Sequence, residues 1–381
     1  MGIFANPLTD LLEYEDFSRD FLKGTDPVGM TGCIDSEKVH FMSTFLGEKK
    51  VQLVVTYNEQ RAREIEEDYK LFCSQVYVIP PRDLIFFSAD LQGNAIIAER
   101  MKAFAALYQN EAKVIITTMD ALMSAAVPFE QLMSHVIKLK EGDELDLEKL
   151  KHDLTVMGYE RVGRVEEPGQ FTVHGGIADV YPLTMEVPVR IELWGDEIDS
   201  IRSFDPESQR SLENLEELTI YPAVEHIGDK DMVSFLDYFP EERTIIFLDE
   251  PNRLTEKGGA VEEEYRQSRM HREEKGSRNL PENWLCSFEQ LQKELNKRNC
   301  ISVCALEPKQ AGWKVREKFY LEVKSISAYN NSFELLVKDL LQYKSQGYRI
   351  ALLSGSRTRA ERLAKDLQEH ELNAFYGSDY D

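Results

Sequence analysis

"GMTGCIDS", residues 29–36, follows the apolar end of "DPVGM" and leads into "EKVHFMSTF". It approaches the pattern G-x-x-x-x-G-K-[ST]. In that loop, glycines let backbone N–H groups crowd a phosphate, a lysine meets the outer phosphates and a hydroxyl holds magnesium. Gly29 and Ser36 are in register, with Gly32 between them, but Ile34 stands at the close-approach glycine and Asp35 at the lysine. A branched side chain fills the space a phosphate would use. An anion in place of a cation beside a polyphosphate costs on the order of 4 kcal/mol at a surface-like dielectric. The five residues therefore read as a degenerate, non-functional nucleotide loop.

Working outward, "KKVQLVVTYNEQRAREIEEDYKLF" reads as a buried strand (Val51 to Thr56), a cap at Asn58 and a helix. "VYVIP", the helix "NAIIAERMKAFAALYQ" and the strand "AKVIITTMDAL" continue the alternation. Residues 1–120 are thus expected to form an α/β domain with a mostly parallel sheet, the degenerate loop lying after a strand and before a helix. From 121 the texture changes to a charged helical stretch, "EGDELDLEKLKHDLTVMGY", and short strands broken by Gly and Pro, which predicts a small α+β domain over 121–225. Within 151–225, six Lys or Arg face sixteen Asp or Glu, a net charge of −10.

The α/β texture returns over 226–328, where "RTIIFLDEP" reads as a buried strand ending in acids and "GAVEEEYRQSRMHREEK" as a helix, with further strands near 301–306 and 318–324. Residues 329–381 open another unit with the helix "NSFELLVKDLLQYKSQ" and "YRIALLSGSRTRAERLAKDLQEH". That unit echoes the first: an apolar strand, a polar cap, then Arg61-Ala62 or Arg359-Ala360, with Asp68 and Asp366 at matching distances. A shared strand-to-helix unit accounts for the echo. The expectation is the start of a third α/β domain, truncated here, in a longer protein.

Composition sets limits. The 42% hydrophobic and 30% charged residues are those of a soluble globular chain, and no apolar run is long enough to span a membrane. The N-terminus lacks a signal peptide, and Asn6 stands where myristoylation needs Ser or Thr, so a cytoplasmic location is expected. Five scattered cysteines fit a reducing compartment; Cys300 and Cys304 in "CISVCAL" read as buried strand residues. No metal site, catalytic residue or Ser/Cys nucleophile is indicated. The net charge of −23 disfavours unaided nucleic-acid binding and points to a protein partner with a basic surface.

The richest stretch is "VEEPGQFTVHGGIADVYPLTMEVPVRIELWGDEIDSIRSFDPESQRS", residues 165–211. "VRIELW" and "EIDSIR" flank a two-residue turn, Gly195-Asp196, that suits type II′. In that register Val189, Ile191, Leu193 and Ile198 face inward, Arg190, Glu192 and Trp194 share the outer face, and Glu192 lies opposite Asp199. An outward Trp beside an outward Arg is the combination enriched at binding hot spots. Two readings stay open: a protein-binding face, or a Trp194 covered by its own domain with Arg190 closing a local salt bridge.

The run "FTVHGGIADVYPL…VPVRIELWGDEIDSIRSFDPESQRS" resembles the second domain shared by the excision-repair protein UvrB and the transcription-repair coupling factors, the Mfd family. "GMTGCIDS" and "FLDEPNRL" extend the resemblance over nearly the whole chain. UvrB has an intact phosphate loop and a Tyr-rich DNA-wedging hairpin. Here the loop has decayed and only Phe86 and Phe87 occupy "PPRDLIFFSADLQG", which points to the N-terminal, UvrB-like region of a coupling factor.

The resemblance implies that the second domain binds UvrA through Arg190, Glu192 and Trp194. His174 stands where the family has Arg, and a neutral imidazole cannot replace a bidentate guanidinium. Asp249-Glu250 resembles the end of a Walker B strand and reads as a relic. The implied whole protein is an ATP- and Mg-dependent double-stranded-DNA translocase that displaces stalled RNA polymerase, its motor outside these residues; this fragment is expected to be non-catalytic and to need no cofactor. The rival readings are an active ATPase or helicase, tested by magnesium-dependent ATP binding, and a direct DNA-binding repair module, tested by duplex affinity and its salt slope.

Overall fold

The computed structural model describes residues 8, 14–17, 27–34, 36–46, 50–82, 94–225, 232–274, 284–307, 312–322, 326, 329, 330 and 332–377. The first section alternates: β1 (Val28–Thr31), α1 (Ser36–Ser43), β2 (Val51–Thr56), α2 (Glu59–Tyr69), β3 (Val76–Ile79), α3 (Asn94–Tyr108) and β4 (Val114–Thr118). Helix α2 starts where its cap was expected, since the Asn58 side chain accepts the Arg61 N–H at 2.7 Å.

After β4 the chain leaves this layer through α4 (Met119–Met123), β5 (Ala125–Ala126) and α5 (Phe129–Met133). It then builds β6 (Ile137–Lys140), α6 (Leu147–Val156), β7 (Glu160–Arg161), β8 (Gln170–His174), β9 (Ile177–Val180), β10 (Val189–Trp194), β11 (Glu197–Phe204), β12 (Ser211–Asn214) and β13 (Glu217–Ile220). It returns by β14 (Val233–Ser234), which pairs with β5. Then follow β15 (Thr244–Asp249), α7 (Pro251–Glu274), α8 (Phe288–Leu295), β16 (Cys300–Cys304) and β17 (Lys318–Tyr320).

One seven-stranded sheet, ordered β17-β1-β16-β15-β2-β4-β3, collects strands from both sides of that excursion, and each neighbouring pair is parallel. Both faces are covered, which is why β2, β15 and β16 read as continuous apolar runs. Leu53, Val55, Ile246 and Leu248 point to one core with Phe104 of α3. Val54, Ile245 and Phe247 point to the other, against Val39 and Phe41 of α1 and Ile65 of α2. The fold is therefore α/β, a doubly covered parallel sheet interrupted by a small α+β unit.

Inside the excursion, β7 to β12 form a six-stranded sheet. Its inner face (Phe171, Val173, Ala178, Val180, Val189, Ile191, Ile198 and Ile201) packs on Leu150 and Leu154 of α6. Asp146 starts that helix by accepting the Glu148 and Lys149 N–H groups at 2.8 and 3.2 Å. The end of the excursion is pinned by Arg100 of α3, which is 1% exposed. Its Nε and Nη2 donate to the two Glu225 carboxylate oxygens at 2.5 and 3.0 Å.

The last unit departs from expectation. Helices α9 (Phe333–Ser345) and α10 (Arg357–Gln368) form and pack through Val337, Leu340 and Leu367. The apolar run between them is not a strand: Ile350, Leu352 and Leu353 are exposed at 42%, 41% and 54%. A strand is stable only when its N–H and C=O groups have a neighbour, and none pairs with this run among the described residues.

Candidate functional site: an outer sheet face and a sealed loop corner

The interaction face is built by the β10–β11 hairpin. Gly195 has φ +68° while Asp196 stays in the ordinary region, as a turn of type II′ requires. The register pairs Arg190 with Arg202 and Glu192 with Ser200, then skips to Leu193 with Ile198. Asp199 is thus the extra residue of a bulge, which corrects the expected pairing of Glu192 with Asp199. Instead Glu192 forms an ion pair with Arg202, and Ser200 donates to it at 3.3 Å. The like-charge contact never arises.

Register across the sheet puts the four expected residues on one outer face. Thr172, Asp179, Arg190 and Arg202 make one row, and His174, Ile177, Glu192 and Ser200 the next, with Trp194 beyond. The two open readings divide between residues. Arg190 does close a local salt bridge, its Nε and Nη2 donating to Asp179 at 2.7 and 2.8 Å while its guanidinium lies 4.8 Å from the Phe204 ring centre. That fork to Asp179 raises the guanidinium further above its ordinary value against the opposing effect of burial. Trp194, by contrast, is covered by nothing in its own domain and is 84% exposed. His174 is exposed at the end of β8, its Nε2 2.9 Å from the Thr172 hydroxyl.

Sequence reasoning missed the surroundings of Trp194. The 142–145 turn binds the hairpin tip through Gly142 N–H to Ile198 O, Leu145 N–H to Asp196 O and Ile198 N–H to Asp143 O, at 2.8 to 2.9 Å. Exposed Asp143, Glu144, Asp196 and Glu197 therefore gather at the tip of the hairpin that carries Trp194. The signal was available in "EGDELD", an acid-rich turn without an assigned neighbour.

The second corner lies at the carboxyl ends of β1 and β15. Gly29, Gly32, Ile34 and Ser36 form the loop from β1 into α1; Asp35, like Phe86 and Phe87, lies outside the described residues. Gly32 has φ +86°, and a side chain there would put its Cβ 2.0 Å from the Leu321 carbonyl oxygen. Beside it, Leu321 N–H donates to Thr31 O at 2.8 Å, and Thr31 Oγ1 donates to Phe319 O at 3.1 Å. An acceptor oxygen thus lies against a loop whose intact form gathers donors around phosphate.

Asp249 ends β15 buried, and Glu250 follows with φ +53°, a left-handed conformation that costs roughly 1–2 kcal/mol for a residue with a side chain. Their partner is Lys38 of α1, whose Nζ donates to Asp249 Oδ1 at 2.7 Å and Glu250 Oε1 at 2.6 Å. Thr56 donates to Asp249 Oδ2 at 2.8 Å, Arg61 Nε lies 3.5 Å from the same oxygen, and Ala305 N–H donates to Glu250 Oε1 at 2.8 Å. Burial opposes the Lys38 ammonium, but the two carboxylates outweigh it and its pKa is raised. Lys38 lies one helical turn beyond Asp35, and nothing local in the sequence couples it to a residue 211 positions away.

Cys300 and Cys304 are buried in β16, and burial pushes both thiols up to about 12. No group of three or more His, Cys, Asp or Glu able to hold a metal occurs among the described residues. No helix among them is long and apolar enough to cross a membrane.

The hairpin with its open aromatic thus stands in an excursion from a parallel sheet whose β1–α1 loop is closed by its own backbone. Residues 137–226 match the UvrB interaction domain family. The chain is similar to the transcription-repair-coupling factor of Staphylococcus haemolyticus, 34% identical over 220 residues, covering 57% of this chain and 19% of that protein. It is likewise similar to those of Staphylococcus aureus (strain USA300), 33% identical over 243 residues with 62% and 20% covered, and Staphylococcus epidermidis, 31% over 238 residues with the same coverage. These stretches are more than twice as long as the interaction-domain match. The likeness to the UvrB-like region of transcription-repair coupling factors is thereby established. The chain spans about a fifth of the length of these curated relatives.

Proposed function

We propose that this chain is the UvrA-recruiting module of a transcription-repair coupling factor. The observation that carries the reading is Trp194, an indole left 84% exposed beside the paired Arg190–Asp179 and Arg202–Glu192 side chains. Such an aromatic, on a rigid hairpin, is a preformed anchor for a partner pocket. The neighbouring acids ask for basic groups around that pocket. The fragment itself does no nucleotide chemistry and needs no cofactor. In the whole protein, ATP and magnesium would drive a double-stranded-DNA translocase outside these residues that displaces RNA polymerase and couples transcription to excision repair. In this reading 1–120 and 226–328 are the two parts of one α/β domain, 121–225 is the inserted domain, 329–381 begins a further one, and the protein works in the cytoplasm.

The test is calorimetric titration of the chain with purified UvrA, beside Trp194→Ala. Binding that this substitution removes supports the reading; no binding by the folded parent chain overturns it.

A further inference from the structure

The sheet fold and its β1–α1 loop imply a magnesium nucleotide, and the residues present do not fit one. The Leu321 carbonyl lies against Gly32, and the two carboxylates that would serve the metal already share one ammonium. We propose that Lys38 is the built-in counter-cation of this corner, holding between Asp249 and Glu250 the charge and the bridging role of a divalent ion. The inference does not depend on UvrA recruitment.

The geometry supports a replacement rather than an incidental contact. Contacts of 2.6 and 2.7 Å are charge-assisted bonds of the shorter kind. The Lys38 and Asp249 side chains are 6% and 1% exposed, so this pair is not a screened surface bridge. Other lone pairs are committed to Thr56 and Ala305, which aim the carboxylates at the ammonium. The ammonium also ties α1, which precedes the excursion, to β15, which follows it. Removing its charge would leave two pre-aimed carboxylates and a threonine hydroxyl, hard oxygen donors of the kind Mg²⁺ or Mn²⁺ takes with waters completing the shell, with Arg61, its Nε 3.5 Å from Asp249 Oδ2, as the neighbouring cation that stays.

The experiment follows thermal unfolding of the 381-residue chain and its Lys38→Met variant during titration with Mn²⁺. Generic binding to the acidic surface is subtracted with a Lys38→Met/Asp249→Asn/Glu250→Gln variant. The expected result is a Lys38→Met midpoint below that of the parent, climbing about 3 °C for each tenfold rise in Mn²⁺ past half-saturation, while the parent midpoint does not move. A Lys38→Met midpoint indifferent to Mn²⁺, or a parent chain that responds as strongly, overturns the proposal. Should Lys38→Met fail to fold, Lys38→Gln carries the same two outcomes. UvrA titration of the same variants reports separately on recruitment.

Discussion

The two corners of this molecule handle charge in opposite ways. At the end of β15, Asp249 and Glu250 are locked to Lys38 with the Asp249 carboxylate withdrawn from water. On the outer face of the β8–β11 sheet, Asp179–Arg190 and Glu192–Arg202 are paired within reach of solvent, and Trp194 stands beside them. A corner whose two carboxylates are held by the chain's own ammonium is part of the core, and its residues answer to stability. A face whose charges are satisfied but whose largest apolar group is bare can answer to a partner. Conserved-looking motifs therefore need to be weighed by what their side chains already hold.

Breaking the sealed corner should have the largest effect. Asp249→Ala leaves the Lys38 ammonium without its most buried partner and should cost about 3–5 kcal/mol in urea unfolding, with UvrA affinity unchanged below the transition. Lys38 is raised above its ordinary 10.5 in the folded chain. Its stabilisation is therefore full below that pH and is lost as pH rises through the folded value. The gap between parent and variant should hold constant through neutral pH and narrow only in strong alkali.

Trp194→Ala should do the reverse. It should weaken UvrA binding by at least about 30-fold, or 2 kcal/mol, and leave the unfolding midpoint in place. Equal losses in binding and stability would erase the contrast between the corners.

Arg190→Ala should fall between them. It strands Asp179, which is 7% exposed, so a stability loss of about 1–3 kcal/mol is expected alongside weaker binding. Arg190→Lys should restore little, because an ammonium cannot make the two-toothed contact. The smallest effect belongs to the tip: Asp196→Asn/Glu197→Gln should slow association with UvrA a few-fold and flatten its dependence on salt, read by stopped-flow at several ionic strengths.

Much of this was legible along the chain because it is local. The Asn58 cap, the Gly195-Asp196 turn and the alternation of β10 need only neighbours in sequence. The bulge at Asp199 was missed although a sign of it is local: Ile198 and Ile201, three apart, cannot both face inward in a regular strand, and the extra residue is what brings both to the core. Lys38 was not legible, because its partners lie at the end of β15 and come beside α1 only after the excursion closes. The run 349–353 was misread for the complementary reason: apolar composition proposes a strand, but only a neighbour makes one. His174 sits in the expected row, yet its bond to Thr172 gives it no role that sequence or geometry distinguishes.

The short pairing of β5 with β14 has a mechanical meaning. It ties Ala125 and Ala126 to Ser234 and Val233, so the backbone leaving the seven-stranded sheet and the backbone coming back are fastened to each other at the base of the interaction domain. The Arg100–Glu225 bond adds a rivet on the return side. A load applied at the hairpin would thus be divided between two connections that are fastened to each other before either reaches the seven-stranded sheet.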